Sequence, residues 1–289
     1  MAKLIFGCGY LGCRVARQWL SAGDLVYVVT RKPERALELA AAGFQPLIGE
    51  ITQSATLPPL PEVDTILFAV GYDRASGQSI EQVYVDGLKN VLAAIVSPPK
   101  HFIYVSSTGV FGQVAGDWVD EDSPCSPTRP GGIACLAAER LLQTSQLADR
   151  AILLRLAGIY GPQRIPRAAD IRAGRPIDAP ATGFLNLIHV DDAARIVVAA
   201  AQQLSPPELY VVSDGQPVQR GEYYGELARL LKGPAPTFSE PPVGSPSAAR
   251  AGSDKRVRPA KLFADLALTL TYPSYREGLA AIIAAAGNM

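Results

Sequence analysis

Gly7-Cys8-Gly9-Tyr10-Leu11-Gly12 is the stretch with the clearest chemistry: it is a G-x-G-x-x-G. It follows an apolar run at 3–6 and opens a helical pattern at 11–22, the strand–turn–helix setting the motif requires. Gly7 permits a tight turn, Gly9 lets backbone approach a pyrophosphate, and Gly12 lets the helix pack close to the strand. The helix N-terminus adds unpaired N–H groups and a partial positive charge. A dinucleotide held by its diphosphate is therefore expected on this loop, Tyr10 and Leu11 included. The alternative is a glycine turn with no ligand.

The ribose end separates two such dinucleotides. NAD is recognised by an acid about 20 residues beyond the loop, which bonds the 2′-hydroxyl. Here that place reads Val29-Thr30-Arg31-Lys32, with no acid. Arg31 and Lys32 suit a 2′-phosphate instead, and an arginine fork on phosphate contributes about 1.5–3 kcal/mol. NADP is expected over NAD; otherwise both cations are solvated residues at the start of a surface helix. Glu50, ending a third strand, is placed by the adenine. Ala69, Val70 and Ser106 are expected along the cofactor, because ligands bind outside strand C-termini in such sheets.

These residues need a scaffold, and the hydrophobic pattern describes one. Strands are expected at 3–6, Leu25–Thr30, 44–49, 65–70, 101–106 and 151–157. Helices alternate with them at 11–22, 33–42, 80–96 and 133–147. Pro33 sits early in its helix, where a missing N–H costs nothing. The alternation implies parallel βαβ units and an α/β, doubly wound sheet. After Gly158 the character changes. Glycine, proline and arginine dominate 161–175, a strand is expected at 184–189, a helix at 191–202, a strand at 209–212 and a helix at 221–231. A Pro-, Ser- and Gly-rich loop fills 232–254. The expected division is a cofactor domain at 1–160, with 184–212 packing back onto it, and a smaller substrate-binding subdomain at 161–289.

Composition excludes several classes. The 289 residues carry 27 basic and 27 acidic side chains, for zero net charge. A nucleic-acid partner needs a clustered basic surface, and an anionic membrane needs the same, so neither is expected. With 48% hydrophobic and 19% charged residues, the chain is globular rather than disordered. Cys8, Cys13, Cys125 and Cys135 form no CxxC pair, and the two histidines, His101 and His189, lie apart from them. No metal site is expected, and the thiols read as reduced, in the cytoplasm. No apolar run reaches the roughly 18 residues of a membrane span. The stretch 278–289 is too short and reads as one face of a packed helix. The start is broken by glycines, so no leader is expected.

Other segments join the glycine loop. They are Tyr104-Val105-Ser106-Ser107-Thr108-Gly109-Val110-Phe111-Gly112, Arg155-Leu156-Ala157-Gly158-Ile159-Tyr160-Gly161-Pro162, His189-Val190-Asp191-Asp192 and Tyr272-Pro273-Ser274-Tyr275-Arg276-Glu277-Gly278. With them the chain resembles the extended short-chain dehydrogenase/reductase superfamily, in its NAD-dependent epimerase/dehydratase group, over nearly its whole length. The resemblance implies a Rossmann-type core with an interleaved C-terminal substrate-binding part. It also implies a small-molecule substrate and a homodimer through paired core helices.

The family's chemistry rests on Asn, Ser or Thr, and a YxxxK pair. Aligned on Glu139, the Tyr position holds Gly131 and the Lys position holds Cys135. The Asn position, three residues before Gly87, holds Tyr84. Thr108 alone matches, as an orienting hydroxyl. This is the pattern of atypical members that keep the cofactor fold and lose the catalytic pair. Losing a positioned general acid costs about 10²–10⁴ in rate. Tyr72 or Tyr160, each just past a strand, is either a substitute proton donor or a wall of the substrate pocket. Cys135 is a nucleophile or, more ordinarily, helix packing.

The substrate pocket is expected from Ser107, Thr108, Tyr160, Arg164 and Asn186. Arg164, Arg167, Arg172 and Arg175 either bind an anionic substrate group or are solvated. Asp120, Glu121 and Asp122 are acid–base candidates or a solvated loop. One of Asp191 and Asp192 is expected to cap the helix behind His189. His101 reads as packing or surface. Two functions remain open: an NAD(P)-dependent oxidoreductase or epimerase acting on a small carbonyl or nucleotide-sugar-like substrate, and a non-catalytic NADP(H) sensor.

Overall fold

The computed structural model describes residues 1–287; the last two residues of the 278–289 helix lie outside the described residues. In chain order the first elements are β1 (Ala2–Phe6), α1 (Gly12–Ser21), β2 (Leu25–Thr30), α2 (Pro33–Ala41), β3 (Gln45–Ile48), β4 (Thr65–Phe68), α3 (Gly87–Ala94), β5 (His101–Ser107), β6 (Asp117–Val119), α4 (Pro130–Gln143) and β7 (Ala151–Leu156). Next come β8 (Gly158–Tyr160), α5 (Ala168–Arg172), β9 (Ile177–Asp178), β10 (Phe184–Leu185), β11 (Leu187–His189), α6 (Val190–Gln203) and β12 (Glu208–Val212). The chain continues through β13 (Val218–Gln219), α7 (Arg220–Leu231), β14 (Phe238–Ser239), α8 (Pro246–Ala251), β15 (Lys255–Val257), α9 (Ala260–Asp265) and α10 (Tyr275–Gly287).

Two compact units form from discontinuous stretches. The first holds 1–110, 130–155 and 194–210; the second holds 111–129, 156–193 and 211 onward. A seven-stranded sheet runs in the order β3-β2-β1-β4-β5-β7-β12. The pairs from β3 to β5 are all parallel. Parallel strands covered on both faces need apolar side chains on both faces. Accordingly Leu4, Ile5, Phe6, Ile66, Leu67, Phe68, Phe102 and Ile103 are all buried. Phe6, Phe68 and Tyr104 stack across three neighbouring strands, with ring centroids 6.2 and 5.7 Å apart. The strand order reverses beside β1, at the pair β1 and β4, the kind of place where doubly wound sheets bind ligands. Helix α1 buries Val15, Ala16 and Trp19, one face of its 3.6-residue period. Pro33 opens α2, as its missing N–H allows.

A buried ion pair stands inside the first unit. Arg155 on β7 grips Glu139 on α4 with Nη2 2.8 Å from Oε2, and the Ser106 hydroxyl donates to Oε1. Glu139 is 1% exposed. A carboxylate this deep is tolerable only because its oxygens are occupied by a fork and a hydroxyl.

The second unit has a core of its own, built on Tyr160, Tyr223, Tyr224, Leu227, Tyr275 and Leu279. Its strands are short and pair as β10/β13, β11/β8, β14/β9 and β15/β6. Two expectations change here. The strand at 184–189 is two pieces: β10 runs antiparallel to β13, and β11 runs parallel to β8. The break falls at Asn186, whose side chain bonds another segment. The loop at 232–254 contains β14, paired with β9, and helix α8. Asp192, in the first turn of α6, accepts the amides of Thr271 and Tyr272, 2.8 Å each. In the first unit, the helix at 80–96 begins with a π-helical turn at Gln82–Asp86 and stops at Ala94. Among the described residues no helix is long and apolar enough to cross a membrane.

Candidate cofactor-binding site

The three loop glycines differ in what surrounds them. Gly7 has φ +93°, and a Cβ there would collide with the backbone of Ala69 and Val70. A Cβ on Gly12 would collide with the carbonyl of Gly7. A Cβ on Gly9 would meet nothing within 4 Å. Two glycines are thus required by packing, while the third faces open space. Ala69 and Val70 follow β4, and the Ala69 amide donates to the Phe6 carbonyl at 2.8 Å. Tyr10 lies under Arg14, whose guanidinium sits 4.4 Å from the ring centroid and bonds the Tyr10 carbonyl. Leu11 is buried where α1 begins. A loop with close-packed ends and an open middle glycine fits a diphosphate approaching backbone amides.

Arg31 is exposed beyond β2, between two carboxylates: Glu50 at 3.4 Å and Asp73 at 3.5 Å. Both partners come from distant sequence, and neither pairing follows from spacing. Lys32 is exposed and makes no ion pair among the described residues. Ser106 is buried with its hydroxyl committed to Glu139.

At the end of β5, Ser107 accepts the Gly109 amide at 3.0 Å. The Thr108 hydroxyl makes no hydrogen bond among the described residues. Tyr72 is held locally: its hydroxyl donates to the Gln78 carbonyl at 2.9 Å. Its amide donates to the hydroxyl of Tyr84 at 3.2 Å. Tyr84 sits in the π-helical turn, a feature common at functional sites. Its phenol accepts from Tyr72, and its own proton has no acceptor among the described residues. Burial, reinforced by Cys135, raises its pKa. Sequence reasoning assigns Tyr84 no reaction; the resemblance, which sets it against the family's Asn, is the one signal that points to it. Cys135 is buried and its thiol is pushed up to about 12, by burial and then by Glu139. It is inert as a nucleophile at neutral pH. A Cβ at Gly131 would meet only Ile80, at 3.5 Å, so the missing side chain leaves room.

In the second unit most expected residues are engaged. Tyr160 is 0% exposed, its hydroxyl 3.3 Å from the Ser274 carbonyl, and burial holds that phenol far above its ordinary pKa. Its hydroxyl end fills the space a Cβ on Gly278 would need. Asn186 accepts the Val257 amide at 2.7 Å and donates to the Lys255 carbonyl at 2.8 Å. Arg167 and Arg175 both bind Asp170, at 3.2 and 2.8 Å. Arg164 and Arg172 are exposed. Glu121 accepts the Val211 amide at 2.8 Å. His189 is buried, 3.9 Å from the Tyr272 ring and 5.3 Å from that of Tyr160.

Comparison with known proteins agrees with this arrangement. Residues 4–213 match the model of the NAD dependent epimerase/dehydratase family. Short-chain dehydrogenase/reductase family 42E member 1 of Danio rerio is 31% identical, over 81% of this chain and 69% of that protein. A solved structure from Methylobacillus flagellatus, described as a putative NAD-dependent epimerase/dehydratase, is 31% identical with TM-score 0.75, covering 99% of this chain and 98% of that one. A functionally unknown conserved protein from Silicibacter pomeroyi is 28% identical with TM-score 0.81, covering 98% of each chain. The glycine loop, the doubly wound sheet and these matches together place the chain in the NAD-dependent epimerase/dehydratase family.

Proposed function

We propose that the first unit binds NADP(H) and that the chain is an oxidoreductase or epimerase acting on a small carbonyl or nucleotide-sugar-like substrate. The open space in front of Gly9, between two glycines that packing requires, carries this reading. Gly7, Gly9, Tyr10, Leu11 and Gly12 hold the diphosphate. Ala69, Val70 and Ser106 line the path to the nicotinamide, and Glu50 lies at the adenosine end. When bound, the nicotinamide supplies a hydride donor or acceptor.

NADP is preferred over NAD because of what Arg31 exchanges. Its pairs with Glu50 and Asp73 are partly exposed, and such pairs contribute about 0.2–1 kcal/mol each. A guanidinium–phosphate contact contributes about 1.5–3 kcal/mol. Phosphate therefore wins the arginine, and Lys32 adds a second cation. Titrating NADPH and NADH against the reduced protein tests this; equal affinity for both would remove the preference.

Tyr84 supplies the hydroxyl that the Gly131 position lacks, beside the hydroxyl of Thr108; neither replaces the lysine charge missing at Cys135. The Tyr72 amide orients the Tyr84 phenol and leaves its proton free for a substrate oxygen. Thr108 aligns that oxygen. Tyr84→Phe is expected to lower turnover by about 10²–10⁴ with the NADPH affinity unchanged. A second reading, a non-catalytic NADP(H) sensor, is favoured by one observation: burial raises the Tyr84 pKa and nothing offsets it through a cation. NADPH binding without consumption of any carbonyl or nucleotide-sugar substrate would select the sensor.

A further inference from the structure

The four cysteines are not equivalent. Cys8 lies inside the glycine loop and Cys13 in the first turn of α1, with their sulfurs 3.0 Å apart. That is well inside the contact distance of two unlinked sulfurs. The Cys13 thiol donates to the Cys8 carbonyl at 2.8 Å, and Nη2 of Arg35 donates to the Cys13 sulfur at 3.4 Å. Both residues are half-buried, so small oxidants reach them. The hydrogen bond from Cys8 is the main influence holding Cys13 below the ordinary thiol pKa; burial opposes it and Arg35 assists it. The same contact, with burial, pushes Cys8 up. A thiol neighbour at 3.0 Å and a guanidinium at 3.4 Å both favour the charge that forms when Cys13 gives up its proton, which makes Cys13 the attacking and Cys8 the resolving cysteine. Cys135 shows the contrast: it is buried and its thiol stays protonated.

We propose that Cys8 and Cys13 are a redox modification site, where a hydroperoxide forms a reversible disulfide that closes the dinucleotide loop. The Cys13 thiolate attacks the peroxide: a sulfur–oxygen bond forms, the oxygen–oxygen bond breaks, and the leaving alkoxide takes a proton to become an alcohol. Cys13 is oxidised to a sulfenic acid and the peroxide is reduced. The Cys8 sulfur then attacks the Cys13 sulfur. The sulfur–sulfur bond forms, the sulfur–oxygen bond breaks, and the departing hydroxide leaves as water with the Cys8 proton. A dithiol reductant reverses the change by exchange. Only Gly9, Tyr10, Leu11 and Gly12 lie between the two cysteines, and the Cys13 amide donates to the Gly9 carbonyl at 3.0 Å. Drawing the sulfurs together therefore moves the backbone that faces the open space at Gly9. This gating half rests on the cofactor reading above.

The test treats the full chain with hydrogen peroxide and follows two independent readouts. Mass analysis of tryptic peptide 4–14, which contains both residues, is expected to show the loss of two hydrogens, reversed by dithiothreitol. Cys8→Ser is expected to abolish that loss and leave Cys13 as a sulfenic acid that dimedone traps. NADPH binding to the oxidised wild type is expected to weaken at least tenfold and to recover on reduction. Peptide 4–14 keeping both thiols while Cys125 oxidises would overturn the site. A disulfide that leaves NADPH affinity unchanged would overturn the gating. Reduced protein that binds no NADPH would sink the cofactor reading and the gating with it, while the mass readout still judges the disulfide.

Discussion

The strand ends of the first unit and the core of the second treat polar side chains in opposite ways. Around the glycine loop, Gly9 faces open space, Lys32 has no ion pair, and the Thr108 hydroxyl and the Tyr84 proton have no acceptor among the described residues. In the second unit, Asn186, Asp192 and Glu121 each hold backbone amides of other segments, and Tyr160 is sealed. Residues of the same chemical type stay available in one region and tie backbone segments together in the other. What separates them is whether an internal partner already satisfies them. Substitutions in the second unit should therefore register in stability. Those at the loop should register in ligand binding.

The largest effect is expected at Asp192. It is 0% exposed, and its two oxygens accept the Thr271 and Tyr272 amides. Hydrogen bonds to a charged group contribute about 1.5–3 kcal/mol each, so Asp192→Ala should destabilise by about 3–5 kcal/mol in denaturant unfolding. A loss under 1 kcal/mol would erase the contrast between the regions.

Asp214 is the next largest. Burial pushes its carboxyl up to about 7, against the pull of the Gln216 amide, and Glu277 adds to the rise. The unfolded carboxyl titrates near 3.9. Between about pH 4 and 7 the native state holds a proton that the unfolded state has lost, so stability falls as the pH rises through that window. Asp214→Asn should flatten this slope and stabilise the protein at pH 8. An unchanged slope of unfolding free energy against pH would refute the assignment.

At the loop the expected effects change kind. Gly9→Val should leave unfolding within about 0.5 kcal/mol of wild type, since nothing lies within 4 Å of a Cβ there. It should weaken NADPH binding at least tenfold, because the side chain fills the space in front of the amides. A valine that disturbs folding but spares binding would reverse the comparison. The smallest effect belongs to Arg31. Arg31→Ala should reduce the NADPH-over-NADH preference about tenfold, and Glu50→Gln should increase it by freeing the guanidinium; paired titrations read both.

Much of the first unit was legible because its signals are local. The β2 bounds coincide with the expected strand, Pro33 opens α2, and strict glycine spacing marks the turn after β1. Within the site, the glycine loop was legible for the same reason. The reach of Glu50 and Asp73 to Arg31 was not, because sequence spacing carries no information about which carboxylates a turn brings near. The division of 184–189 into β10 and β11 was equally hidden: a single polar residue inside an apolar run does not break a strand by itself, and the break comes from Asn186 serving the backbone at 255 and 257.

By itself the sequence determined the alternation of strand and helix and the glycine turn. These are matters of period and residue identity, which need only neighbours along the chain. Tertiary structure alone decided which polar groups remain available. It sealed Tyr160 and, among the described residues, left the Tyr84 proton without an acceptor. It also placed Arg35 against the sulfur of Cys13. Availability depends on which partners folding brings within about 3 Å, and that is a property of packing rather than of spacing.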